Sequence, residues 1–354
     1  MKRFFTCLFF ATFLFATGAL AQLKTDTLQG SLDIHFNALG FMDNREYSAF
    51  VPRSRTYSGT RTTIDFGLNL DSLNHFIVGA NGIHEFGAQP FYLTVDPVAY
   101  YHYESKKWIF NVGEFPREGL LTQYPRALLN DTLLYYRPNV EGLLTNLHTK
   151  YGYESIWIDW VSRQTETARE QFIFGDGGTY IPSPGHPFFL THYFLLMHDA
   201  GNASNDPNQP GIGDNGGAQI RVGMDYSHRT VFDSLKFDVG GMISLERVRG
   251  VDGFHIPPGF VASAYLSYHK FAFFDEFYVG EGSHITYGDS FYEKKLYNRL
   301  DIIYSPFVFK HIHGQFILSI HSSPGYPGDS QQAFRLTYDL GRKVLKRFKT
   351  DDLL

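Results

Sequence analysis

Along the stretch GGAQIRVGMDYSHR (216–229) the side chains change character at every second position. Ala218, Ile220, Val222, Met224 and Tyr226 are apolar, whereas Gln219, Arg221, Gly223 and Asp225 are polar or small. A two-residue period is the mark of a β-strand with unlike faces. The same alternation recurs in Ser31–Ala38, Thr63–Leu70, Leu235–Glu246 and Phe334–Leu340. Counting such segments from 29–39 to 331–341 predicts roughly 16 strands, each close to the length a tilted membrane-crossing strand needs. The segments 91–103, 106–115, 168–176 and 189–198 alternate poorly.

Connections between these segments tend to be long and short by turns. Residues 40–59, 116–140, 199–215, 246–258 and 281–293 are long, while Asp71-Ser72, the turn at Gly152, His269-Lys270 and Ser305-Pro306-Phe307 are tight. With the first strand ascending, Tyr226, Tyr268, Tyr304 and Tyr338 fall near the lower ends of descending strands, in the apolar phase, and Trp160 falls at the upper edge. Rings with a polar tip favour the membrane–water boundary. Strand length, loop asymmetry and this tyrosine row predict an all-β fold: a closed antiparallel transmembrane β-barrel in which Val222 and Phe237 face lipid and Arg221 and Lys236 face enclosed water. Lipid cannot hydrogen-bond a free sheet edge, so the last strand, 331–341, is expected to pair with the first, 29–39. A soluble secreted β-protein, for example a carbohydrate-active one, obeys the same alternation with its faces reversed.

Composition narrows the setting. Lys2 and Arg3, the apolar run Phe4–Ala16 and Ala19-Leu20-Ala21 have the layout of a secretory signal peptide over 1–21. The barrel then occupies 22–341, and 342–354 is expected to be a C-terminal periplasmic tail. Cys7, the single cysteine, lies in the leader, which leaves no thiol for disulfides, metal sites or a nucleophile. Loss of Lys2 and Arg3 takes the formal charge from −5 to −7, and an acidic balance argues against nucleic acid.

On this leader, these dyad strands, loops and girdle, the chain resembles a Gram-negative outer-membrane β-barrel of the porin kind. The resemblance is architectural and spans about 22–341. It implies location in the bacterial outer membrane, contact with membrane lipid and lipopolysaccharide, and a possible homo-oligomer. It also implies a third external loop, PREGLLTQYPRALLNDTLLYYRPNVEG, folded inward to narrow the channel. Many such barrels end on an aromatic residue; here KVLKRFKTDDLL follows the last strand.

The polar phase names the lumen residues: Arg221, Asp225, Lys236, Asp238, Arg299, Asp301, His313 and Arg335, with Asp225 expected opposite Lys236 and Asp301 opposite His313. Arg117, Arg126 and Arg137 on the third loop are the constriction candidates, because guanidinium groups concentrate and orient small anions. GDGG (175–178) and GIGDNGG (211–217) read as turns. His311 and His313, two apart, are read as sharing one strand face. Neither a G-x-S-x-G elbow nor an H-E-x-x-H motif occurs. The expectation is a passive channel for small hydrophilic solutes, without cofactor or metal and without enzymatic activity. The alternatives are an occluded barrel for surface binding or polysaccharide and envelope assembly, and an outer-membrane hydrolase.

Overall fold

A computed structural model describes residues 29–48, 52–204 and 211–349, so the leader expected over 1–21 lies outside the described residues. The chain forms one antiparallel sheet. Its first half comprises β1 (Gln29–Glu46), β2 (Arg55–Asn69), β3 (Asn74–Glu85), β4 (Thr94–Glu104), β5 (Trp108–Pro116), β6 (Asn139–Thr149), β7 (Gly152–Ser162) and β8 (Glu170–Tyr180). Its second half comprises β9 (Phe188–Gly201), β10 (Gly213–Asp225), β11 (Ser234–Val248), β12 (Pro258–Tyr268), β13 (Phe271–Gly280), β14 (Leu296–Val308), β15 (Ile312–Ser323) and β16 (Tyr326–Asp339). Each strand pairs with the next, and β16 pairs back onto β1, so that 16 strands close a ring.

The seam has two parts. Asn37–Glu46 of β1 pairs with β16, and Gln29–Ile34 pairs with a further strand, β17 (Lys343–Lys349). The segment after Gly341, read above as a tail, thus runs on along the edge of β1. The expected partner of 29–39 was 331–341; most of that stretch pairs instead with the upper half of β1.

The faces sort as the alternation predicts. Val222 and Phe237 are 40% and 46% exposed on the outer wall, while Arg221 is 6% exposed. Ile220, Val239, Phe260, Phe277 and Phe316 continue the exposed apolar exterior, a band that only lipid covers favourably. Among the described residues no helix is long and apolar enough to cross a membrane. Tyr268 and Tyr304 are exposed at the short-turn end, and Trp160 is exposed at the other.

Both glycine motifs read as turns lie in strands: 175–178 inside β8 and 213–217 inside β10. Their glycines make room. A Cβ at Gly175 would lie 2.2 Å from the Trp157 indole, and one at Gly217 would lie 2.6 Å from Ile285 and 3.1 Å from Leu128. Composition alone suggests turns here, but the missing side chains serve close approach of the wall to what fills the lumen.

That filling is the third external connection, 117–138, with helices α1 (Glu118–Gln123) and α2 (Leu133–Tyr136), together with 281–295 between β13 and β14. Tyr124, Ala127, Leu128 and Leu129 from the first and Ile285, Phe291 and Tyr292 from the second pack against inward wall residues Trp157, Ile173, Leu195, Met242, Tyr278 and Tyr297. The main chains of the two loops bond to each other, Asn130 N–H donating to Tyr287 O at 2.8 Å and Asp289 N–H to Arg126 O at 2.9 Å. A dry core therefore sits inside the barrel rather than around it.

Candidate functional site in the lumen

Arg117 fixes the neck of the plug. Its backbone N–H donates to Pro138 O at 2.7 Å, and its guanidinium donates to Arg137 O at 2.8 Å, to Asn139 O at 2.6 Å and to the Asp159 carboxylate of β7. Arg117 and Asp159 are both buried, so this arginine holds the loop to the wall and is sealed from any solute. Arg137 lies at the rim, 5.9 Å from the Tyr287 ring centroid.

Arg126 reaches the middle of the lumen. It meets Asp131 at 3.0 Å and Asp289 at 3.5 Å. Asp131 is also gripped by Arg335 of β16 at 2.8 Å and by Arg45 of β1 at 3.1 Å. Burial alone would raise the Asp131 carboxyl, but Arg126, Arg335 and Arg45 outweigh it and hold the group far below the usual carboxylate range. Arg45 is held in turn by Asp43 at 2.8 Å.

Two cavities meet at this cluster. One, of about 380 Å³, opens toward the long-loop end between Arg45, Tyr57, Asn130, Asp131 and Asp289. The other, of about 320 Å³, lies toward the short-turn end between Arg61, Glu118, Asp131, His313 and Arg335. The Asp131 carboxylate is common to both walls. A third cavity, of about 710 Å³, lies below Tyr124 and Arg126 and is lined by Arg221, Lys236, Asp238 and Glu276.

The remaining lumen positions fall into local pairs. Arg221 bonds Glu276 at 2.8 Å and Asp238 at 3.0 Å. Asp225 stands opposite Lys236, as the register predicted, at 3.0 Å. Arg299 takes Asp301 at 2.7 Å. Asp301 does not face His313: it pairs with Ser319, and His313 pairs with Val308. The strand runs on through Ser305-Pro306-Phe307, with a register break, before it turns, which shifts every later partner. His311 lies in that turn, outside β15, and its Nδ1 lies 2.8 Å from the Asp339 carbonyl. Sequence reasoning missed Asp131, Arg45 and Asp289, which lie in a loop or at the end of a strand, where no period marks them.

A family model described as lipid A 3'-O-deacylase-type matches residues 23–345. The chain belongs to the lipid A 3'-O-deacylase-type family. Membership overturns the expectation of a barrel without enzymatic activity, since by its description this is a family of enzymes. That expectation rested on missing linear motifs. Residues that act together in a barrel come from different strands, and spacing along the chain does not show them. A comparison with curated proteins returns no match.

Solved structures share the fold. OpdL of Pseudomonas aeruginosa has a TM-score of 0.55 at 12% identity, over 89% of this chain and 99% of its own. An anion-selective porin from Comamonas acidovorans has a TM-score of 0.52 at 9% identity, over 88% and 100%. OmpT of Vibrio cholerae has a TM-score of 0.52 at 9% identity, over 90% and 99%. This family member thus has a porin-like β-barrel fold.

Proposed function

We propose that the barrel passes small hydrophilic solutes, anions foremost, through a route closed at Asp131. One observation carries the reading: the cavities of about 380 Å³ and 320 Å³ share the Asp131 wall, so release of one latch joins the two ends. Arg335 would then lose its carboxylate while Arg45 and Arg126 keep Asp43 and Asp289, and the added positive charge would draw a carboxylate or phosphate inward. Arg126 is the expected constriction residue that takes part directly, while Arg117 acts through the loop's position. Liposome swelling with sugars and salts of graded size tests this. The expected result is slow swelling with the wild type and faster swelling with Asp131→Ala, stronger for small anions than for cations of equal size. No swelling with any solute in either protein would contradict it.

Family membership favours a second reading, hydrolysis of an acyl ester of lipid A. The outer cavity opens at the end of the long loops, where outer-leaflet lipid lies, and presents the carboxylates of Asp131 and Asp289 beside Ser54, Thr132 and Ser290. Purified protein incubated with lipopolysaccharide is expected to release fatty acid, seen as a mass loss of one acyl chain. An unchanged lipid A mass spectrum after prolonged incubation counts against this reading and leaves the first intact.

A further inference from the structure

Three polar side chains interrupt the lipid-facing wall. Glu154 of β7 alternates with the buried inward residues Ser155 and Trp157 and shares its outer phase with the exposed Ile156 and Trp160. Asp176 of β8 lies between Gly175 and Gly177, whose missing side chains face Trp157, Tyr193 and Tyr124 inside. His192 of β9 stands beside Thr191, which is buried on the inner side. All three therefore point out of the barrel. Along their strands they lie between Phe174 and Phe194 on one side and Tyr180 and Leu190 toward the short-turn end.

The three converge on one point. His192 Nε2 is 3.1 Å from Glu154 Oε1 and 3.6 Å from Asp176 Oδ2, and a set of ligand atoms, one from each, lies within 4.8 Å of one another. Gly178 sits in register between Glu154 and His192. A Cβ there would lie 2.6 Å from Glu154 Oε2 and 3.1 Å from His192 Cε1, so the cluster is assembled over a position without a side chain. A cavity of about 160 Å³ adjoins it, walled by Leu147, Tyr151 and Tyr180.

Charges on the lipid face of a barrel oppose insertion. A protonated histidine offsets only one of the two carboxylates, which leaves a net negative charge against lipid. A divalent cation neutralises both and needs only the neutral imidazole. One nitrogen and two oxygens form a common zinc donor set, with bond lengths of about 2.0–2.2 Å. Tetrahedral geometry then separates the donors by about 3.4 Å, between the two distances observed from His192.

We propose that Glu154, Asp176 and His192 form a divalent-cation site of the Zn²⁺ kind on the membrane-facing wall near the periplasmic end, with one position left for water. The site rests on neither functional reading above. The test uses full-length protein in detergent micelles, stripped with chelator and titrated with Zn²⁺ by calorimetry, with metal content measured by mass spectrometry. One ion per chain is expected, with binding at least about tenfold weaker in His192→Ala and Glu154→Gln and unchanged in His269→Ala, which alters an exposed turn. Heat-modified electrophoretic mobility reports whether each variant folds. Should the variants misfold, Co²⁺ loaded into the wild type decides: the intense visible absorption of a tetrahedral site supports the assignment, and a hydrated octahedral spectrum overturns it. Equal Zn²⁺ binding by the wild type and folded His192→Ala, or no binding at all, also overturns it.

Discussion

At the scale of single residues, the lumen is governed by where arginines are fixed. Arg117 and Asp159 are buried together, and removal of one partner from a buried ion pair costs about 3–5 kcal/mol. Arg117→Ala is therefore expected to lower stability by that order and to expose 117–138 to protease, read by urea unfolding and limited proteolysis in micelles. Arg117→Lys should not rescue it, because one ammonium cannot reproduce a fork that serves two carbonyls and a carboxylate. Asp131 gives a pH prediction of defined sign. Its folded pKa is depressed, so its contribution is complete above the unfolded value of about 3.9 and is lost only as pH falls through the much lower folded value. Conductance in planar bilayers should stay flat from about pH 8 to pH 4. A step in that window would mean that the latch carboxylate is not held by its arginines.

At the scale of elements, the wall and the plug were not equally legible. Alternation in Ala218–Tyr226 or Leu235–Leu245 has one physical cause, lipid on one side and polar lumen on the other, so strand number and facing followed from sequence. The register of β14 on β15 did not, because the strand runs on to Val308 and turns only at 309–311, and alternation does not show where a strand ends. Asp176 went unnoticed because GDGG looks like a turn, although its glycines serve close packing. This gives an element-scale prediction. Gly175→Leu should drive the Trp157 indole and the adjoining Tyr124 out of place, since even a Cβ comes within 2.2 Å of that ring. The barrel should still insert, and swelling with small sugars should rise several-fold. An unchanged rate would mean that the plug does not limit passage.

At the scale of the whole molecule, a closed 16-strand ring supplies a rigid wall, and two of its own loops supply a core within it. On the reading proposed above, the contact of Asp131 with Arg45, Arg126 and Arg335 divides the outer cavity from the inner one that shares its wall. The absence of cysteine beyond Cys7 makes this division directly measurable. A cysteine placed at His313, on the inner cavity, can be challenged in intact cells with a charged, membrane-impermeant thiol reagent added from outside. The account predicts slow labelling in the otherwise wild-type chain and labelling at least about tenfold faster once Asp131→Ala is added. Equal labelling rates in the two proteins would contradict the claim that this latch separates the two ends of the barrel.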